Sequence, residues 1–97
     1  MLILFLGSEY NAIKPMLGEP DLGKQHAIIV GQQGVFQLDK ILNELSARTD
    51  IRIYVLKRDL QGSGLLSNFV GYDSLSIIEF DEFVSLTTQY LPCITIQ

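Results

Sequence analysis

The chain has 97 residues, of which 47% are hydrophobic and 19% charged, a balance that favours a single folded domain over residues 1–97 and excludes a disordered chain. Seven Lys and Arg stand against 11 Asp and Glu, giving a formal net charge of −4, and the cations form no run that could neutralise a phosphate backbone. We therefore expect no direct binding to nucleic acid.

The first predicted element is an apolar strand from Leu2 to Leu6. No basic residue precedes it, and Gly7-Ser8-Glu9 ends it, so it is too short for a secretory signal or a membrane span. This indicates a cytoplasmic protein with no membrane partner. A short helix is predicted from Glu9 to Leu17, interrupted by Pro15 and followed by a turn at Gly18-Glu19-Pro20.

The second strand is predicted from Ala27 to Val30, and the clearest helical pattern follows from Val35 to Arg48. Its apolar residues recur at steps of three and four and are Val35, Leu38, Leu42 and Leu45. The positions between them are polar and should face solvent: Asp39, Lys40, Asn43 and Glu44. The pattern is that of an amphipathic helix that packs on a sheet.

A third strand is predicted from Ile51 to Leu56. The following segment, Lys57 to Tyr72, contains Gly62, Gly64 and Gly71. Because glycine disfavours regular structure, we expect a loop here, with a helical turn or two around Leu60 to Phe69, and the highest mobility within the chain.

The last predicted elements are a strand from Leu75 to Ile78, a helix from Asp81 to Leu91 and a strand from Ile94 to Ile96. Asp81 is the predicted N-cap of the helix and Pro92 its stop. The helix should face the sheet with one side, formed by Phe83, Leu86, Thr87 and Tyr90.

Strands and helices alternate along the chain, and the first, second and fourth strands are nearly continuous in apolar residues. Continuous apolar strands are typical of a parallel sheet that helices cover on both faces. The predicted fold class is α/β, a three-layer α/β/α sandwich with about five mostly parallel strands and right-handed crossovers.

In open parallel sheets, ligands bind beyond the carboxyl ends of the strands. Four segments follow such ends: Gly7 to Asn11, Gly31 to Gly34, Lys57 to Asp59, and Glu79 to Asp81. The first has one glycine and no nearby lysine, which favours a turn over a phosphate loop. The second has two glycines, compatible with a tight turn or with an anion site at a helix N-terminus. A phospho-receiver site is disfavoured, because the first segment supplies only Glu9 and the third has two cations before Asp59.

Two single residues remain as chemical candidates. His26 is the only histidine and precedes the second strand, at the amino edge of the sheet, which leaves nothing for a metal site or a Ser-His-Asp triad. Cys93 is the only cysteine, so no internal disulfide can form, and it is the weak candidate for a catalytic thiol. Its apolar neighbours and the absence of nearby cations favour a buried structural thiol. No cofactor is expected.

Three blocks carry a family resemblance. The first, residues 28–35, is an apolar strand closed by Gln32, Gln33 and Gly34. The second is Ile53-Tyr54-Val55-Leu56-Lys57-Arg58-Asp59-Leu60 with Gly64-Leu65. The third, residues 78–87, pairs acidic and aromatic residues at the start of a helix, as in Glu79-Phe80 and Glu82-Phe83. In this order and spacing they resemble the TusB/DsrH family of small sulfur-relay subunits, although the family's His-x-x-x-x-Ser-Pro opening is replaced here by residues 6–10.

The resemblance implies a DsrEFH-like fold and a heterohexamer with sister TusC/DsrF-like and TusD/DsrE-like subunits. Such complexes pass persulfide sulfur toward 2-thiolation of tRNA wobble uridine or through dissimilatory sulfur oxidation. The sulfur-bearing cysteine belongs to a sister subunit, in a loop after a strand, and the corresponding loops of this chain contain none. The resemblance therefore implies a non-catalytic structural subunit. A homo-oligomeric relative of other function and a thiol enzyme that uses Cys93 are the alternatives.

Overall fold

The computed structural model describes residues 1–12, 15, 26–45, 48, 50–69, 71, 74–90 and 93–97. Five β-strands form within these ranges, and each lies within one residue of its predicted bounds: β1 Leu2–Phe5, β2 His26–Val30, β3 Ile51–Leu56, β4 Leu75–Ile78 and β5 Cys93–Ile96. The predicted turn at residues 18–20 lies outside the described residues. So do the stop at Pro92 and most of the first predicted helix, of which a 3-10 turn at Tyr10–Ala12 is seen.

The strands form one sheet in the order β4-β3-β2-β1-β5, and all four neighbouring pairs are parallel. β1 and β2 therefore lie inside the sheet, and their side chains are largely inaccessible on both faces. This explains why the apolar runs of these strands are continuous rather than alternating. The predicted parallel α/β fold is confirmed.

The structure gives bounds for four α-helices within the described ranges: α1 Leu38–Leu45, α2 Lys57–Gly62, α3 Leu66–Phe69 and α4 Phe80–Gln89. The first three follow steps from β2 toward β4, whereas α4 leads back from β4 across the sheet to β5. Right-handed crossovers in opposite directions put the connecting helices on opposite faces. The sandwich thus has three layers, and α4 is the only described helix on its face.

The core has two parts, one on each face of the sheet. The larger cluster joins the inner sides of α1, α2 and α3 to alternate strand residues, including Ile3, Phe5, Ile28, Val30, Ile53 and Val55. The smaller cluster joins Leu86 and Tyr90 of the α4 segment to the opposite strand positions, Leu2, Ala27, Ile29 and Ile78. Phe83 is only half-buried against this second cluster.

The helix predicted from Val35 begins earlier and in a tighter form. Residues Gln32–Gln37 are a 3-10 helix, and the α-helix starts only at Leu38. The tight turn packs directly on β1, since an added Cβ at Gly34 would lie 2.7 Å from the Phe5 carbonyl oxygen. The predicted inward and outward faces of α1 are otherwise confirmed.

The segment from Lys57 to Tyr72, predicted as a loop with a helical turn or two around Leu60 to Phe69, is more helical than predicted, because α2 already begins at Lys57. Leu60 and Phe69 are buried in the larger cluster and tie α2 and α3 to the sheet. Gly64 has a φ of +78° and makes the break between the two helices. Burial of two anchors therefore outweighs the low helix propensity of the glycines.

The predicted N-cap of the last helix is also wrong. α4 begins one residue earlier, at Phe80, and Glu79 is its N-cap. Glu79 and Glu82 form a capping box, in which the Glu79 N–H donates to Glu82 Oε1 at 3.5 Å. Asp81 lies inside the first turn, where its charge favours the helix dipole without capping it.

Candidate functional site

A groove lies at the carboxyl edge of the sheet, where β2, β3 and β4 end. Its volume is about 650 Å³. It is lined by residues from all three strand ends and from the starts of α2 and α4: Gln32, Leu56, Lys57, Arg58, Asp59, Gln61, Ile78, Glu79 and Phe80. We call it the carboxyl-edge groove. Three of the four segments predicted to meet at this edge contribute to it.

Gln32 is held at the groove in an unusual backbone conformation. Its φ is +50°, the only positive φ of a described residue other than glycine. The Gln32 backbone N–H donates to Asp59 Oδ2 at 2.9 Å. Gly31 makes this approach possible, because an added Cβ there would lie 2.9 Å from the same carboxylate oxygen. Asp59 therefore fixes the loop after β2 to the start of α2.

The fourth predicted segment, Gly7 to Asn11, lines a neighbouring cavity of about 260 Å³ at the ends of β1 and β5. Gln32 lines this cavity, the carboxyl-edge groove and a third cavity of about 360 Å³ beside Phe36. The strained Gln32 thus stands where the three depressions meet. Residues held in this sparsely populated backbone region cluster at functional sites.

The charges of the groove largely balance each other. Lys57 Nζ lies 3.9 Å from Glu79 Oε1, and both side chains are well exposed. Asp59 is engaged by the Gln32 backbone, whereas Arg58 forms no ion pair with another described residue. The groove can therefore hold a polar or anionic group of a partner through Arg58 and the side-chain amide of Gln32.

The lining of the groove offers hydrogen bonds and charge but neither a thiol nor an imidazole. Within the described ranges, no three His, Cys, Asp or Glu side chains are grouped so as to hold a metal ion. None of the helices described is long and apolar enough to cross a membrane. What these residues can supply is a docking surface with polar and charged groups, the apolar Leu56 and Ile78, and the aromatic ring of Phe80.

Cys93 lies at the other end of the sheet, and its predicted burial is wrong. It is the first residue of β5, and its side chain is exposed. β5 is an edge strand that pairs only with β1 among the described strands, so no described strand lies on its outer side. Alternation along the strand turns Ile94 and Ile96 inward and leaves Cys93 and Thr95 outside. Ile94, one of the apolar neighbours that suggested burial, points to the opposite face.

His26 begins β2 at the amino edge of the sheet, as predicted, and is half-buried. Its Nδ1 is buried without a hydrogen bond to the described residues, while its backbone N–H donates to the Asp50 carbonyl at 2.8 Å. Asp50 itself is buried and binds the Arg48 guanidinium, with 2.7 Å from Nη2 to Oδ2 and 3.1 Å from Nε to Oδ1. These residues lie at the opposite edge from the groove.

Sequence reasoning found the edge but missed two of its features. Neither the left-handed conformation of Gln32 nor the exposure of Phe80 was predicted. The first had a signal, because Gly31 and Gly34 flank Gln32 in a turn that must pass close to β1 and α2. The second had none, since an aromatic residue beside the helix start is usually buried.

The sequence matches a family model described as DsrH like protein over residues 11–92. No curated protein matches the chain. The matched range includes the carboxyl-edge groove, the whole of α4 and all three blocks that resemble the TusB/DsrH family. It covers far more than half of the 97 residues. The chain therefore belongs to the DsrH-like protein family.

Proposed function

We propose that the chain is a non-catalytic structural subunit of a cytoplasmic sulfur-relay complex, which passes persulfide sulfur toward 2-thiolation of tRNA wobble uridine. Its partners are sister DsrE-like and DsrF-like subunits in a heterohexamer. Family membership supports the coarser role, a subunit of a sulfur relay. In this proposal a sister subunit carries the sulfur, and this chain contributes a binding surface to the complex.

One observation carries the proposal. The groove where a parallel sheet normally does its chemistry is lined by amide, carboxylate and cationic groups and contains no cysteine. Persulfide transfer needs a thiolate that the donor and the acceptor both reach. The one cysteine of the chain stands at the opposite edge of the sheet, at the start of β5.

The experiment is sulfur transfer by the complex reconstituted with Cys93→Ser. We expect delivery of labelled sulfur to the acceptor at close to the unsubstituted rate, because Cys93 takes no part in the relay. The matched control replaces the sulfur-bearing cysteine of the DsrE-like sister subunit by serine and should abolish transfer. Assembly of each complex is checked by size-exclusion chromatography with light scattering.

A second candidate function, a thiol enzyme, is favoured by one finding, the exposure of Cys93. In that case Cys93→Ser would slow transfer by more than about tenfold, equivalent to about 1.4 kcal/mol, while assembly stays intact. The thiol of the folded chain would also react with iodoacetamide faster than a model thiol at the same pH. Either result contradicts the structural role.

Two finer alternatives concern the pathway and the assembly. The same complex would serve dissimilatory sulfur oxidation if its acceptor were an oxidising enzyme rather than a tRNA-modifying one. The product in which the labelled sulfur appears distinguishes the two pathways. A homo-oligomeric relative of other function would self-assemble and ignore DsrE-like and DsrF-like chains. Co-expression of the three chains followed by co-purification separates this case from the proposal.

A further inference from the structure

The two faces of the sheet are covered unequally. Three described helices and two 3-10 turns belong to one face, whereas the ten-residue helix α4 is alone on the other. Five strands span about 20 Å from the first axis to the last, while a helix with its side chains is about 10 Å wide. Leu4, Tyr54 and Leu56 consequently remain half-buried on the α4 side.

The outer side of α4 adds apolar surface to this face. Phe80 is 73% exposed and Val84 is 47% exposed, one turn further along the helix. The Phe80 and Phe83 rings stack with centroids 5.8 Å apart. Leu56 continues the patch, because it lines the carboxyl-edge groove together with Phe80. We call Leu56, Phe80, Phe83 and Val84 the α4 surface.

Two hydroxyl groups beside this surface already form hydrogen bonds within the helix. Thr87 Oγ1 donates to the Val84 carbonyl at 2.6 Å, and Thr88 Oγ1 donates to the Ser85 carbonyl at 2.7 Å. Burying a hydroxyl is costly only when it lacks a hydrogen bond. The last turns of α4 could therefore be covered by another protein without leaving these donors unpaired.

The charge at the start of α4 indicates the chemistry of the partner. Glu79, Asp81 and Glu82 border Phe80, and they outnumber the two cations of the adjoining groove, Lys57 and Arg58. Lys57 neutralises only Glu79 among them. A two-fold contact between two copies of this surface would bring carboxylates of both copies together, which costs free energy. A chain with a basic border around an apolar groove fits instead.

We propose that the α4 surface is where a sister subunit of the relay complex docks, presenting an apolar groove bordered by lysine or arginine. The proposal rests on the proposed function, since it names the partner surface of the same complex. Phe80 and Val84 are the anchors, and Asp81 supplies the long-range attraction. The surface adjoins the carboxyl-edge groove, so a docked subunit would also cover Arg58 and Gln32.

The test measures the affinity of the full chain for the separately purified DsrE-like and DsrF-like subunits. The double variant Phe80→Ser, Val84→Ser should weaken binding to one of them by about tenfold or more, as expected for exposed apolar anchors at an interface. The control is Phe36→Ser, which removes an aromatic side chain that is 63% exposed on the other face. Circular dichroism of each variant establishes that it folds.

A second pair of variants tests the charge. Asp81→Lys should slow association and reduce its dependence on salt, because it reverses one border charge. Asp39→Lys is the matched control, since Asp39 is also an exposed acid in the first turn of a helix, on the opposite face. It should leave association within about twofold of the unsubstituted rate.

Three results would overturn the docking surface. In the first, the unsubstituted chain binds a sister subunit and the double variant binds it equally well. In the second, Phe36→Ser is as damaging as the double variant. In the third, the chain self-associates through Phe80, so that the occupant is a second copy. If the unsubstituted chain binds neither sister subunit, the proposed function fails together with this inference. The binding measurement on the unsubstituted chain alone shows this, so it is distinguished from a failure of the docking surface.

Discussion

Tyr10 joins the loop after β1 to helix α1. Its side chain is 2% exposed, and the Lys40 Nζ lies 5.7 Å from the centre of its ring. Burial, followed by a hydrogen bond and charge repulsion from Glu44, raises the pKa of the Tyr10 hydroxyl to about 12 from an ordinary value of 10.0. The neutral hydroxyl is therefore the form that the folded protein favours.

We predict a loss of stability at alkaline pH that originates here. The folded pKa is raised, so this contribution is fully present below pH 10.0 and is lost as the pH rises toward about 12. Tyr10→Phe should flatten the fall in unfolding free energy between these values, measured by urea denaturation at several pH values. Part of the dependence should remain, because burial and the neighbouring Tyr54 also raise the pKa of Tyr90. An unchanged slope in the variant would contradict the assignment.

The exposure of Cys93 and the backbone conformation of Gln32 are two residue properties that were not predicted from the sequence. The location of Cys93 at the start of a strand was predictable, but its exposure depends on β5 being at an edge, which local sequence does not encode. The conformation of Gln32 depends on a carboxylate 27 residues further along the chain. Both properties come from tertiary neighbours rather than from local propensity.

Among the elements, the 3-10 turn before α1 depends on a close approach to β1. An added Cβ at Gly34 would lie 2.7 Å from the Phe5 carbonyl oxygen and 3.1 Å from the Phe5 ring. Neither neighbour can move freely, because Phe5 is fully buried. The start of α1 is thus fixed by the absence of a side chain at one position.

A glycine pair tests this packing. Gly34→Ala should destabilise the protein by about 1–3 kcal/mol, the usual cost of forcing extra volume into a packed site. Gly62→Ala is the control, because an added Cβ there meets nothing within 4 Å, at the end of α2. It should be neutral or stabilising by about 0.5–1 kcal/mol. Chemical denaturation of both variants measures the difference, and equal stabilities would refute the close contact.

Element types were predictable wherever one pattern dominated. The five strands follow from apolar runs of strand length, and α1 follows from a regular spacing of leucines with polar residues between. From Lys57 to Phe69 the prediction was only partly right: glycines indicated a loop with a helical turn or two, whereas the buried Leu60 and Phe69 hold two short helices. At α4, Asp81 was the better N-cap by residue type. Glu79 is the N-cap instead, because Glu82 at the third helical position completes a capping box with it.

For the whole molecule, the order of the strands determines where the helices and the groove lie. Alternation of strands and helices with right-handed crossovers was sufficient to predict three layers and a functional edge. The return of the chain through α4 to β5, on the far side of β1, was not predicted. The unequal cover of the two faces and the edge position of β5 both result from it. Return connections of this kind are decided by global packing.

The same strand order predicts a gradient of hydrogen exchange. Amides of β2, which has a strand on each side, should exchange slowest, and amides of β5 should exchange fastest among the strands because β5 is at an edge and its side chains are half-buried or exposed. Native-state exchange followed by mass spectrometry or NMR measures this directly. Slower exchange in β5 than in β2 for the isolated chain would contradict the edge position.

The pairing of β1 with β5 also has a consequence during translation. The register pairs Leu2 with Cys93 and Phe5 with Ile96, so each β1 residue leaves the ribosome long before its partner in β5 is synthesised. At roughly 5–20 residues per second, the stretch after β4 takes about one to four seconds to synthesise. For that interval the nascent chain carries an open strand edge and a bare apolar sheet face, which makes it a substrate for chaperones and vulnerable to pairing with other nascent chains on the same message.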